Sequence, residues 1–153
     1  MDTERVKQTI LENVAEIERL QAIYHAARDK AWRQNPPNGR EALQAYETFF
    51  NASVALAFPG GYKGALARIG SGDPEAMEAA ICFLELRPYF FRSGYMFKDI
   101  LRKCRNAPLS AEQALRLARY EEKLAEWRSD RAARKSSYTH LVAVNPQPPE
   151  PQE

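Results

Sequence analysis

The sequence predicts an all-α protein: a compact bundle or short superhelical stack of five to six helices, followed by a disordered proline-rich tail. Three observations carry this expectation. Apolar residues recur at helical spacings through most of the chain. The intervals between those stretches hold proline and glycine, as in Asn35-Pro36-Pro37 and Pro59-Gly60-Gly61. Helix-start signals, such as Asp73-Pro74 and Ser110 with Gln113, stand at the heads of the later stretches.

Each element has its own reason. Residues 3–33 carry Val6, Ile10, Ile17, Leu20 and Tyr24 on a seam near 3.5, with Asp2 or Thr3 as the cap. The prolines at 36 and 37 end that helix, because proline disfavours a helical residue before it and lacks an N–H. A second helix spans about 39–57, with Leu43, Tyr46, Phe50, Val54 and Ala57 on one face and Phe49 and Phe58 adding bulk. Asn38 followed by Glu41 resembles a capping box. A short helix over 62–69 closes at Gly70. The fourth helix starts at Asp73 and Pro74, buries Met77, Ala80, Ile81 and Leu84, and is broken or kinked at Pro88. The fifth runs from about Ser93 to Arg105, with Met96, Phe97, Ile100, Leu101 and Cys104 on one side and Lys98, Arg102 and Arg105 sharing the opposite face.

The sixth helix begins with the Ser110/Gln113 capping box and repeats Leu117, Tyr120, Leu124 and Trp127 at 3, 4, 3. It is expected to fray at Ser136-Ser137. Residues 138–144 (YTHLVAV) then form a short β-prone run, and NPQPPEPQE a proline-rich extended tail. One helical domain over 1–137 and a tail over 138–153 is the expected organisation. The first and last helices both keep a seam that suits pairing with each other, or with a second copy of the chain in a homo-oligomer.

The net charge of +2 is too small to argue for nucleic acid globally, but its distribution is uneven. Residues 37–86 sum to −3 and residues 87–109 to +5. The positive segment is RPYFFRSGYMFKDILRKCR, in which Tyr89, Phe90, Phe91, Tyr95 and Phe97 alternate with six cations against one acid, Asp99. Cations beside aromatics suit a phosphate, a nucleic-acid strand or an acidic protein face. The candidate binding residues are therefore Arg87, Tyr89, Arg92, Tyr95, Lys98, Arg102 and Arg105, with Phe90 or Phe91, Met96 and Phe97 expected to plug the corner between helices. The acidic 73–86 stretch is the nearest intramolecular partner that could absorb the patch.

Other chemistry is sparse. Cys82 and Cys104 lack a C-x-x-C spacing, and with His25 and His140 they form no metal motif, so no metal and no cofactor are expected. GGYKGALARIG lacks the G-x-x-x-x-G-K-[ST] spacing of a phosphate loop and reads as a turn. The start of the chain lacks a signal-peptide core and no run reaches a membrane span, so a cytoplasmic location is expected.

Arg19 and His25, and again Arg134 and His140, stand six residues apart. This spacing resembles the R-x4–6-H motif of the HEPN ribonucleases, which are all-helical, and the resemblance implies Arg19 and His25 as an RNA-cleaving pair. The chain departs from that pattern, in which the pair opens a late helix, often with a polar residue after the arginine. Here Leu20 follows Arg19, and the pair sits late in the first helix. The expected function is non-enzymatic binding of a protein with an acidic surface, as an inhibitor, immunity protein or adaptor, with nucleic-acid binding and a HEPN-like ribonuclease as alternatives.

Overall fold

Six helices follow one another in the computed structural model, which describes residues 2–34 and 37–144, with side chains through 137. They are α1 (Thr3–Arg33), α2 (Arg40–Leu56), α3 (Ala65–Gly70), α4 (Pro74–Leu86), α5 (Ser93–Cys104) and α6 (Ala111–Val144). No strand occurs among the described residues, and none of these helices is long and apolar enough to cross a membrane. The chain divides into two units, Met1–Arg116 and Leu117–Glu153.

In the first unit α1 packs along α2 and also meets α4, while α3 packs on both α4 and α5. The centre is α4. Its residues Ala76 to Leu84 are all buried, not only the one-sided stripe of Met77, Ala80, Ile81 and Leu84. A helix apolar on every side belongs inside, surrounded by other elements. Asp73 caps it through its carboxylate and Pro74 occupies the first turn, as the sequence predicts. Phe83 anchors the core with Phe58, Phe90 and Phe97 arranged around its ring. Gly60, at φ +80, lets Arg68 lie so close that a Cβ would fall 2.7 Å from its guanidinium. Arg68 also donates to the Gly61 carbonyl at 2.9 Å, so the glycine-rich stretch is a clamped turn.

Two expectations at α2 are corrected. Asn38 and Glu41 do not form a capping box. The Asn38 side chain accepts from the Arg40 N–H, and Glu41 instead pairs with Lys30 of α1 at 3.1 Å. The buried stripe is Ala42, Phe49 and Ser53, continued by Ala57 and Phe58, one position round the helix from the expected Leu43, Phe50 and Val54. The reason is width: α2 carries more apolar residues than one face holds. Phe49, stacked near Tyr24, wins the inward position and leaves Phe50 and Val54 at the edge.

The second unit is the remainder of α6. Leu117, Tyr120 and Leu124 are buried at the expected spacings, whereas every residue from Ala125 to Ser137 is exposed. The helix does not fray at Ser136-Ser137. Its backbone continues to Val144, so 138–144 is helical rather than strand-like, and Arg134 lies inside the helix. With no strand among the described residues to pair with, β-propensity has nothing to act on, and helix propagation continues instead. The expected extended tail beyond residue 144 and the side chain of His140 lie outside the described residues.

Candidate binding face and a buried charge network

The basic–aromatic segment folds into a corner. Pro88 ends α4, and the loop to α5 begins at Arg87 (φ 45) and closes at Arg92 (φ 66), the two non-glycine residues with positive φ among those described. Left-handed backbone costs a side-chain-bearing residue about 1–2 kcal/mol. Phe90 turns inward and is buried, Phe91 is half-buried beside Phe49, and Met96 is buried with Phe97 half-buried, as expected for a plug between helices. Tyr89 and Tyr95 turn outward and are 88% and 74% exposed.

Arg92 links the two tyrosines. Its guanidinium lies 5.9 Å from the Phe50 ring centre and 5.2 Å from that of Phe91, and it has no carboxylate partner among the described residues. On one side it helps line a groove of about 510 Å³ between α2 and α5, floored by Phe50, Val54, Ala57 and Met96 and bordered by Tyr95, Tyr62 and Asp99. On the other it borders a smaller depression of about 300 Å³ with Tyr89, Glu18 and Gln21. Asp99 faces Arg102 at 3.8 Å and accepts the Tyr62 hydroxyl. Burial, then the Asp99 charge and hydrogen bond, raise the Tyr62 pKa. Arg102 thus joins the groove through Asp99. Arg87, set 5.7 Å from the Phe97 ring, and the exposed Lys98 and Arg105 line neither depression.

The acidic stretch before this corner makes its contacts elsewhere. Arg116, at the start of α6, donates Nε and Nη2 to Glu85 at 2.8 Å each, and Nη1 to Glu78 at 2.7 Å. Lys7 of α1 reaches Glu85 at 3.3 Å. Glu78, only 7% exposed, also accepts from Thr3 at 2.9 Å and Gln113 at 3.0 Å. Burial pulls its pKa up, but the hydrogen bonds from Gln113, Arg116 and Thr3 outweigh this and hold it at about 2. Glu85 is lowered as well, chiefly by Arg116 against the opposing effect of burial. The Cys82 thiol donates to Glu78 at 3.4 Å, and burial raises its pKa to about 11. Cys104 is raised by burial to about 12. Neither thiol is a ready nucleophile.

This network escapes the sequence because its members come from α1, α4 and α6. One part was visible: Ser110 and Gln113 make the reciprocal capping box at 3.1 Å in both directions, and Gln113 then uses its amide N–H to hold Glu78.

The other candidates do not converge. Arg19 grips Glu16 with two hydrogen bonds of 2.7 and 2.8 Å on the α1 surface. His25 lies tilted beside Tyr24, and its buried Nδ1 has no hydrogen-bond partner among the described residues. Six residues apart on one α-helix, the pair is separated by about 9 Å along the axis and about 120° around it. No group of three acidic, histidine or cysteine side chains suited to a metal occurs among the described residues. Comparison of the chain with protein-family models, curated proteins and solved structures returned no match.

Proposed function

We propose that this protein is a non-enzymatic binding module that docks a protein with an acidic surface through the α4–α5 corner. Tyr89, Arg92 and Tyr95 form the centre, and Arg87, Lys98, Arg102 and Arg105 supply the surrounding field. The supporting observation is the pair of exposed tyrosines joined by an arginine whose neighbours are rings rather than carboxylates. Tyrosine and arginine carry much of the energy at protein interfaces. The acids of α4 that could have absorbed the patch, Glu78 and Glu85, are held by Arg116 and Lys7.

The test is photo-crosslinking from a benzophenone residue placed at position 89 in the cells that make the protein. The reading expects one crosslinked protein, lost on Tyr95→Ala or Arg102→Glu. Crosslinking that survives both substitutions overturns it.

Nucleic-acid binding is the second reading. It draws on the exposed stretch of α6, where Arg128, Arg131, Arg134 and Lys135 outnumber Glu126 and Asp130. Titration with labelled RNA and duplex DNA separates the two. An affinity falling steeply with salt, in proportion to phosphates contacted, would favour this second reading.

A further inference from the structure

We infer that the groove between α2 and α5 receives a large apolar side chain from an acidic segment of the partner, with a neighbouring carboxylate of that segment meeting Arg92. This rests on the binding reading above and names the chemistry of the docking segment.

The apolar half of the argument comes from α2. Phe50 and Val54 lie one step round the helix from the residues the core uses, and Val54 is 43% exposed. Together with Ala57 and Met96 they floor a concave space of about 510 Å³, within the range of sites that enclose a ligand group. An apolar floor in a concave site is where an interface anchor gains most by leaving water.

The acidic half comes from the rim. Arg92 is held over Phe50 and Phe91, so its guanidinium is pre-positioned at the groove edge, and no carboxylate of the described residues occupies it. The one acid lining the groove, Asp99, is engaged by the Tyr62 hydroxyl and faces Arg102. Lys98 and Arg102 add exposed positive charge on the same helix. A guanidinium with rings beneath it and open donors above suits an incoming carboxylate. Arg92 also sits at φ 66, where glycine would fit without strain, so the side chain is present in spite of its backbone.

The experiment pans phage displaying random peptides against the full chain. One synthetic peptide from the enriched set is then measured by fluorescence anisotropy. The expected set carries Asp or Glu within two positions of Leu, Phe or Trp. Arg92→Gly, which relieves the left-handed strain, weakens the peptide at least about tenfold while the protein keeps its unfolding midpoint. Val54→Trp, a substitution at a half-open position, fills the groove and abolishes binding. Failure to enrich peptides, enrichment without acids, or equal binding by both variants overturns the inference. So does either alternative occupant: a dimer in sedimentation that Val54→Trp dissolves, or peptide affinity that rises when residues 145–153 are removed. If the crosslink at position 89 survives Val54→Trp, the groove assignment fails while the binding face itself stands.

Discussion

Arg116 and Arg92 meet opposite surroundings. Arg116 donates four hydrogen bonds, to Glu78, Glu85 and Cys82, in a buried network, whereas Arg92 rests on two phenyl rings at the edge of an open groove. A guanidinium buried with charged partners ties elements together and leaves nothing to offer a ligand. One supported by rings keeps its donors directed outward. The difference teaches that, in one small helical protein, what lies beside an arginine decides whether the fold itself takes up its donors or leaves them at the surface. Charge counts along the chain do not distinguish the two.

The largest expected effect breaks the buried side of this contrast. Arg116→Met leaves Glu78 in the interior without its cation, and urea unfolding near neutral pH should show a loss of about 3–5 kcal/mol. Replacing Glu78 by Gln and Glu85 by Gln together with Arg116→Met should recover part of it, because neither acid is then left as a carboxylate without its arginine. A loss under about 1 kcal/mol for the single variant would show that the network contributes little.

Acid comes next. The Glu78 carboxyl is depressed in the folded state from 4.5 to about 2. Its contribution is therefore fully present above pH 4.5 and is lost as pH falls towards 2, because the unfolded chain takes up the proton first. Urea midpoints across that window should fall for the parent by an amount corresponding to about 3 kcal/mol, and the fall should be shallower in Glu78→Gln. Parallel curves for the two proteins would place the acid sensitivity elsewhere.

The open side of the contrast predicts the reverse behaviour. Arg92→Gly removes left-handed strain at the end of the loop, and each cation–ring contact it gives up is worth about 0.5–1 kcal/mol. Thermal unfolding should therefore show stability unchanged or raised by up to about 1 kcal/mol. Smallest of all, Tyr89→Ala and Tyr95→Ala should move stability by less than about 0.5 kcal/mol, because both side chains are exposed. Clear destabilisation by either tyrosine variant would mean that these residues serve the fold.

Much of the fold was legible because its signals are local. Asp73-Pro74, Ser110 with Gln113 and Pro88 each act within a few residues, and the helices at 74–86 and 93–104 lie where those signals put them. The outward turn of Lys98, Arg102 and Arg105 followed from helix periodicity alone. What was hidden depends on competition between helices. The rotation of α2 was decided by Phe49 packing near Tyr24 of α1, and that same rotation put Phe50 and Val54 at the groove edge. In the sequence Glu78 is one of the acids near the start of α4, and only the approach of Thr3, Gln113 and Arg116 explains how it can be buried. The helical course of 138–144 goes with the absence, among the described residues, of a strand to pair with, which a window of sequence does not reveal. Left-handed backbone at Arg87 and Arg92 had no signal, since neither is the glycine or asparagine that usually marks it.

The most direct test sets stability and recognition against each other in one molecule. The variant Tyr89→Ala/Arg92→Gly/Tyr95→Ala should unfold at the same denaturant concentration as the parent, or higher, while a crosslinker placed at position 98 no longer captures the partner that the parent captures. Undiminished capture by a variant with the parent's stability would contradict the account.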